Sequence, residues 1–293
     1  MAARWKSAGA VLAAGVLGAA TLGVAPDATA KRRSAAVEWA PAETAALHPG
    51  VQTYTNGGQC TANFVFTDTA GNVYLGQAAH CSGTGAATDT NGCDAGTLPL
   101  GTEVTFNEGG SLLSDGTVLG TGTLAYSSWN TMQARGERDD NTCAFNDFAL
   151  VKVAAADVAK VNPTVPFWGG PMGINTTGTQ AGDEVYSYGN SSLRGGLTEL
   201  SPKTGISLGQ DPAEEGWTHP LYTATPGVPG DSGSAFLDAD GNAVGTLSTL
   251  GLAPLPASNN IGDLDHELAY AQAYSGIAGL RLVLGTEPFD PSL

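Results

Sequence analysis

Glycine and proline interrupt this chain so often that long helices have little room to form. The 293 residues include 41 glycines and 16 prolines. Between these breaks lie short runs rich in Val, Thr, Tyr and Phe, which are residues that favour pleated strands. The clearest case is the pair 60–67 and 72–77, which predicts a β-hairpin across the turn 68–71. Many short strands separated by turn signals predict an all-β barrel or sandwich.

The remaining strands are predicted at 102–107, 116–125 and 147–153 in the first half of the chain. In the second half they are predicted at 184–188, 217–223, 234–237 and 243–249. Residues 156–172 contain three prolines and lie between the halves, so we place a linker there. The segment 262–284 is the best helical candidate, because one face would carry Leu264, Leu268 and Ala271.

The N-terminal 30 residues have the features of a secretory signal peptide. Arg4 and Lys6 precede an uncharged stretch at 7–24, and Ala28-Thr29-Ala30 is a small-x-small cleavage sequence. A membrane anchor is the alternative. It is disfavoured because the stretch is Gly-rich and short for a span of about 20 residues.

Residues 31–45 begin with three basic residues, continue Ala-rich and show no strand pattern. They predict a short pro-segment or flexible arm before a folded domain at 46–285. Loss of residues 1–30 leaves 10 of the 12 basic and 27 of the 28 acidic residues, a net charge of −17. Such a charge repels phosphate backbones and anionic membranes. We therefore expect a secreted monomer with no nucleic acid partner and no stable membrane association.

Three segments carry side chains suited to nucleophilic catalysis. They read Gln-Ala-Ala-His-Cys at 77–81, Asn-Asp-Phe-Ala-Leu at 146–150 and Pro-Gly-Asp-Ser-Gly-Ser at 229–234. A serine hydroxyl is a weak nucleophile until a neutral imidazole accepts its proton, and a carboxylate orients that imidazole. His80, Asp147 and Ser232 supply these groups in that order along the chain.

On these segments the chain resembles the secreted bacterial chymotrypsin-like (trypsin-like) serine proteases, which use the same order of residues. The resemblance covers about 46–285. It implies two packed six-stranded antiparallel β-barrels, at about 46–155 and about 172–285, with a C-terminal helix. It also implies a serine endopeptidase that acts on protein or peptide substrates and needs no cofactor or metal.

The resemblance assigns a role to each residue of the site. Ser232 would be the nucleophile, His80 the general base and Asp147 its orienting carboxylate. The backbone N–H groups of Gly230 and Ser232 would form the oxyanion hole. Asp231 would form a buried ion pair that orients this loop, and Arg194 is the candidate cation.

Substrate contacts are assigned to Pro226, Ser248 and Leu250 by the same resemblance. Trypsins carry an aspartate at the position of Pro226, and relatives that cut after glutamate carry a histidine at the position of Leu247. Both specificity groups are replaced here by apolar residues. We therefore predict that the residue before the scissile bond is neutral and largely apolar.

The four cysteines, Cys60, Cys81, Cys93 and Cys143, form an even set in an exported chain, which predicts two disulfides. Three pairings are possible. The family resemblance favours Cys60–Cys81, which leaves Cys93–Cys143. A zinc site at His80, Cys81 and Cys93 is the alternative, but the usual Cys-x₂-Cys spacing is missing.

Two other functions fit the sequence less well than a serine endopeptidase does. An inactive chymotrypsin-like binding or surface protein is the main alternative, but such proteins usually lose a triad residue and this chain keeps all three. An esterase or lipase would have Gly-x-Ser-x-Gly with its histidine last. The segments 89–94 and 238–242 resemble calcium loops weakly, and we interpret them as a disulfide-bound loop and a hairpin turn.

Overall fold

The computed structural model describes residues 37–86, 88–251 and 257–292. The signal peptide prediction and the first residues of the predicted arm, 31–36, lie outside the described residues. Within them the chain forms two mainly antiparallel β-sheets and three short α-helices.

The first sheet is built from the N-terminal half of the chain and one late strand. Its strands are β1 (Gln52–Thr55), β2 (Gly58–Thr61), β3 (Val65–Thr67), β4 (Val73–Gln77), β5 (Glu103–Glu108), β6 (Thr117–Ser127), β7 (Ala149–Val153) and β15 (Arg281–Leu282). They follow the order β15-β3-β4-β7-β6-β5-β1-β2, and every neighbouring pair is antiparallel.

A bend between β2 and β3 closes this sheet into a barrel. β2 pairs with β1, whereas β3 pairs with β4. The bend itself bonds to both sides: Ala62 N–H donates to the Val51 carbonyl at 2.9 Å, and Asn63 N–H donates to the Gly76 carbonyl at 2.8 Å. With β2 and β3 counted as one bent strand, barrel 1 has six strands, and β15 pairs with the outer edge of β3.

Barrel 2 closes because two of its strands, at the two ends of a row of six, pair directly with each other. Its strands are β9 (Glu184–Tyr188), β10 (Pro202–Ser207), β11 (Thr218–Thr223), β12 (Ala235–Asp238), β13 (Asn242–Gly251) and β14 (Ser258–Asp263). β12 pairs with both β9 and β13, which completes the six-stranded ring. A two-residue strand, β8 (Gly173–Ile174), pairs with β13 in parallel. The predicted pair of six-stranded antiparallel barrels is therefore confirmed.

The same five-residue turn closes one hairpin in each barrel. It reads Asp-x-x-Gly-Asn at 68–72 and again at 238–242. In both turns, one Asp oxygen accepts the N–H groups two and four residues ahead, and the other accepts the Asn side-chain amide. Gly71 and Gly241 have φ of +83° and +77°, a region that favours glycine. The interpretation of 238–242 as a hairpin turn is confirmed.

The α-helices of the described residues are fewer than the strands. α3 (Leu264–Tyr274) is the predicted C-terminal helix, but the predicted span of 262–284 is too long. Gly276 and Gly279 adopt φ of +74° and +68° after α3, and the chain then continues into β15. The sequence did not predict α1 (Ser128–Arg135) and α2 (Asp140–Phe145), which lie between β6 and β7. In the described ranges, no helix is long and apolar enough to cross a bilayer.

The largest hydrophobic cluster joins the two barrels to α3. Barrel 1 contributes Phe64, Phe66 and Phe148, barrel 2 contributes Leu237, and α3 contributes Leu268. Each fully buried apolar side chain of this size stabilises the fold by about 1.5–3 kcal/mol. This shared core fixes the barrels and α3 against one another, and the candidate site lies along the same junction.

Residues 37–45 belong to the predicted arm and contact the linker. Ala40 N–H donates to the Val161 carbonyl at 2.9 Å, and Asn162 Nδ2 donates to the Ala40 carbonyl at 2.7 Å. Val37 and Trp39 pack, partly buried, against the core of barrel 1. The site at which the chain is processed stays a prediction from the sequence.

Candidate active site

Two disulfides hold the segments that carry His80 and Asp147. Cys60–Cys81 joins β2 to the turn containing His80, which follows β4. Cys93–Cys143 joins a loop to α2, and α2 ends two residues before Asp147. Both predicted pairs are present in the structure.

His80 and Asp147 form a hydrogen-bonded dyad. The His80 Nδ1 atom lies 2.6 Å from Asp147 Oδ2. The backbone N–H of His80 donates to Asp147 Oδ1 at 2.8 Å, and that of Ala79 donates to the Asp147 carbonyl at 3.1 Å. These three contacts hold the His80 segment against Asp147. Because Nδ1 is bonded to the carboxylate, Nε2 is the ring nitrogen left to accept a proton.

Asp147 is also held from the side of barrel 2. Its side chain is 6% exposed, and the Ser248 hydroxyl donates to Oδ2 at 2.6 Å. The backbone N–H of Asp147 donates to Glu267 Oε1 on α3 at 3.1 Å. A buried carboxylate is stable only when such donors replace water. The sequence indicated Ser248 but not Glu267.

The pKa of the His80 imidazole is raised above 6.5. Burial is the largest single influence and favours the neutral ring, but the charge and the hydrogen bond of Asp147 together outweigh it. A raised pKa makes the imidazole a better proton acceptor, which suits a group that must accept and return a proton.

Ser232 lies in a turn of barrel 2 that packs against barrel 1 next to His80. The N–H of Thr61 donates to the Ser232 carbonyl at 2.8 Å. Gly233 has φ of +88°, and a Cβ added there would lie 2.5 Å from the Thr61 carbonyl oxygen and 2.9 Å from the nitrogen of Ala78. Only glycine fits so close to the strand end that leads into His80. Within the described residues, no hydrogen bond joins the Ser232 hydroxyl to His80.

Two N–H groups of this turn, on either side of Asp231, have no acceptor among the described residues. The other N–H groups of 228–234 donate to protein atoms, namely those of Val228, Asp231, Gly233 and Ser234. The N–H groups of Gly230 and Ser232 donate to nothing within the described part of the chain. Gly230 has φ of +95°. Unpaired N–H groups beside a serine are the donors from which an oxyanion hole is made.

Strand β2 of barrel 1 fixes the peptide of Gly230. The Gly230 carbonyl accepts from Thr61 Oγ1 at 2.8 Å and from Gln59 Nε2 at 3.0 Å. The Gln59 Oε1 atom accepts the N–H of Ser192 at 2.9 Å and would lie 2.1 Å from a Cβ at position 230. The turn that carries these N–H groups is thus bonded to barrel 1. This role of Gln59 was not predicted from the sequence.

Asp231 is fully buried and pairs with two cations. Arg194 forms an ion pair with Oδ2, as the sequence analysis expected, and Lys203 Nζ lies 3.1 Å from the same oxygen. The carboxylate also accepts the N–H groups of Ser191 at 3.1 Å and Val228 at 3.0 Å. Lys203 was missed, because a lysine in the middle of β10 looks like a solvent-facing residue. Its side chain is 0% exposed.

The residues assigned to substrate contact lie around one edge of barrel 2. Leu250 on β13 is 50% exposed, so it is free to meet a ligand. The Pro226 carbonyl accepts from Arg194 at 3.4 Å. The hydroxyl of Ser248 is used by Asp147.

Asn259 on β14 fills the space between this edge and the 226–228 segment. Its Oδ1 accepts the Gly227 N–H at 2.8 Å, and its Nδ2 donates to the Gly227 carbonyl at 3.3 Å. The side chain is 1% exposed, and Leu247 packs beside it against Gly227. Asn259 was not predicted from the sequence, because no local pattern shows which partner a polar residue in a strand will contact.

A second acid–histidine group lies in barrel 2 and is of another kind. His219 Nε2 lies 2.7 Å from Asp263 Oδ2, and His266 Nδ1 lies 2.9 Å from Asp263 Oδ1. Asp263 also caps α3, and His219 is 0% exposed. A fully enclosed imidazole cannot reach a substrate, so His219 is structural; the His266 side chain is 40% exposed.

Comparisons with known proteins give structural matches alone. No family model matches the chain, and no curated protein matches it. Thermobifida fusca protease A is 16% identical with a TM-score of 0.49, over 82% of this chain and 99% of that chain. A Cellulomonas bogoriensis chymotrypsin is 18% identical with a TM-score of 0.45, over 81% and 98%. At these values, a functional assignment has to come from the site itself.

We predict that Asp231→Asn destabilises the fold by about 3–5 kcal/mol, because it leaves two buried cations without an anion. Lys203→Met in the Asp231→Asn background should cost less than in the native chain, since it then removes an unpaired charge. Urea unfolding of the native chain, the two single variants and the double variant measures the free-energy cost of Asp231→Asn and the cost of Lys203→Met in each background. Strictly additive effects would contradict the assigned ion pair.

Proposed function

We propose that this protein is a secreted serine endopeptidase with Ser232, His80 and Asp147 as its catalytic triad. The observation that carries the proposal is the hydrogen-bonded His80–Asp147 dyad, together with a turn in which the N–H groups of Gly230 and Ser232 have no acceptor in the described part of the chain. The two disulfides agree with an oxidising, extracellular location. The substrates are proteins or peptides.

In the proposed reaction, Ser232 Oγ attacks the carbonyl carbon of the scissile bond. His80 Nε2 takes the hydroxyl proton and then gives it to the departing amine as the C–N bond breaks. A water molecule attacks the resulting ester, again with His80 as base, and the carboxylic acid leaves as Ser232 regains its proton. Asp147 keeps its charge throughout and stabilises the imidazolium.

The negative charge of each tetrahedral intermediate forms on the former carbonyl oxygen. The N–H groups of Gly230 and Ser232 would bind that oxygen, and each such donor is typically worth about 2.7–4 kcal/mol in the transition state. The peptide of the Gly230 N–H is held through the Pro229 carbonyl, which accepts from Ser191 Oγ at 2.6 Å, and that of the Ser232 N–H through the Asp231 carbonyl, which accepts from Ser234 N–H at 3.0 Å. These donors are thus oriented before substrate binds.

The proposed substrate edge has neutral side chains. Asn259 and Leu247 face the 226–228 segment, and Leu250 is exposed beside it. Without a carboxylate or an imidazole at these positions, the residue before the scissile bond should be neutral, and the preference should be broad. An apolar contact discriminates by only about 1–3 kcal/mol per methylene.

A fluorophosphonate probe tests the nucleophile directly. We expect it to label the folded protein at Ser232, and we expect Ser232→Ala to abolish labelling. Ser234→Ala is the matched control, since this buried serine lies in the same turn and should leave labelling unchanged. A folded sample that is never labelled would favour the alternative of an inactive binding protein.

The rate should fall as the pH is lowered through the raised pKa of His80, above 6.5, because the protonated ring cannot accept the serine proton. In Asp147→Asn, burial acts without the opposing charge, so the pKa should move down while kcat drops by about 10⁴-fold. Measurement of kcat/KM against pH gives both values. The exposed Asp290→Asn is the control, and an Asp147→Asn profile identical to the native one would refute the assignment.

Peptides that differ only at the residue before the scissile bond test the proposed preference. We expect kcat/KM for Leu, Phe or Ala to exceed that for Arg or Glu. Asn259→Asp should raise the relative rate on Arg peptides, whereas Asn260→Asp, the next residue on β14, should not. A tenfold advantage for Arg or Glu with the native enzyme would overturn the proposal.

A further inference from the structure

A buried acid that the proposed mechanism does not use lies directly behind the triad. Glu267 is in the first turn of α3, and its side chain is fully buried. Its Oε1 atom accepts the backbone N–H of Asp147 at 3.1 Å. Its Oε2 atom has no hydrogen-bond partner within the described residues.

The neighbouring strand leaves room for this carboxyl. A Cβ at Gly262 would lie 2.2 Å from Glu267 Oε1 and 3.1 Å from the carbonyl oxygen of Phe145. Any larger residue at 262 would displace the carboxyl from Asp147. Gly262 pairs with Thr218 and Thr246 in the strands on either side, so its position is fixed.

The charged groups that face Glu267 are acids. Asp147 is in contact with it, and Asp263 caps the same helix. The hydroxyl of Thr246 also faces the carboxyl, and that of Tyr126 lies close enough to feel its charge. Burial, followed by the charge of Asp147, raises the pKa of Glu267 well above 4.5. Burial and the neighbouring acids therefore favour the protonated, neutral form of the Glu267 carboxyl.

We propose that Glu267 is a positioning residue for Asp147: as a neutral acid it holds the Asp147 backbone from α3 and adds no second negative charge beside the dyad. This inference rests on the proposed function. The contact completes the set of bonds on Asp147, whose two carboxylate oxygens and carbonyl are used by His80, Ser248 and Ala79. α3 is thereby linked to the catalytic geometry.

Two substitutions separate the two parts of the proposal. Glu267→Gln keeps an acceptor oxygen and stays neutral at every pH. Glu267→Leu removes the acceptor and leaves the Asp147 N–H buried without a partner. Glu137→Gln is the matched control, because Glu137 bonds to α3 through the Tyr270 hydroxyl but does not touch Asp147.

We expect Glu267→Leu to lower kcat by roughly 10- to 100-fold with little change in KM, since a displaced catalytic group costs about this much. Glu267→Gln should restore the native rate near neutral pH. The native rate should decline as the pH rises through the raised pKa of Glu267, because the carboxyl then ionises. The rate of Glu267→Gln should show no such decline. Glu137→Gln should match the native enzyme throughout.

Two measurements need no catalysis. The NMR signal of the His80 Nδ1 proton, and the His80 pKa that it reports, should change in Glu267→Leu and be kept in Glu267→Gln. As the pH rises above 4.5, the unfolding equilibrium constant of the native chain should grow by up to tenfold per unit relative to that of Glu267→Gln, because the folded state retains a proton that the unfolded state loses.

The outcomes are distinct. If Glu267→Leu keeps the native kcat and His80 signal, or if Glu267→Gln shows the native pH dependence of unfolding, the inference is wrong. If no variant, including the native chain, hydrolyses peptides but the His80 signal and the unfolding slope change as described, the inference stands and the proposed function fails. Should Glu267→Leu not fold, the pH dependence of Glu267→Gln decides.

Discussion

The candidate site exists because a turn of barrel 2 is bonded to the bent strand of barrel 1. Thr61 binds the carbonyls of both Gly230 and Ser232, and Gly233 packs against the strand end that leads into His80. The His80–Asp147 dyad belongs to barrel 1, whereas the serine and the free N–H groups belong to barrel 2. Neither barrel alone holds the complete set, so the junction between them is the functional unit.

Buried carboxyl groups organise that junction, and each is balanced differently. Asp147 is stabilised by neutral donors and the imidazole and Asp231 by two cations, whereas burial and the charge of Asp147 favour the neutral form of Glu267. An unbalanced charge in such surroundings would cost several kcal/mol. The three solutions keep the local charge low where the barrels meet, although the chain as a whole is strongly acidic.

The sequence predicted the parts of this site that depend on local patterns. Short β-rich runs between turns indicated an all-β barrel or sandwich. The segments around His80, Asp147 and Ser232 indicated the residues now proposed as the triad, and through the family resemblance they implied two barrels. Arg194 was found because few cations exist to pair with Asp231. Lys203, Gln59, Asn259 and Glu267 were not found, since their roles come from contacts across 28 to 171 positions and from burial, and neither is visible in a local pattern. The helix span failed because two later glycines end it.

The pairing of β15 with β3 has a consequence for how the chain folds. Arg281 lies opposite Thr67, so a strand of the first barrel finds its edge partner more than two hundred residues later. Barrel 2 is thus enclosed, in sequence, between two pieces of one sheet. Contacts between residues so far apart in the sequence slow folding, because the entropy of closing the long loop is lost before the contacts stabilise the chain. Barrel 1 therefore keeps an open strand edge until the last part of the chain arrives, and the final pairing ties the unfolding of both barrels together.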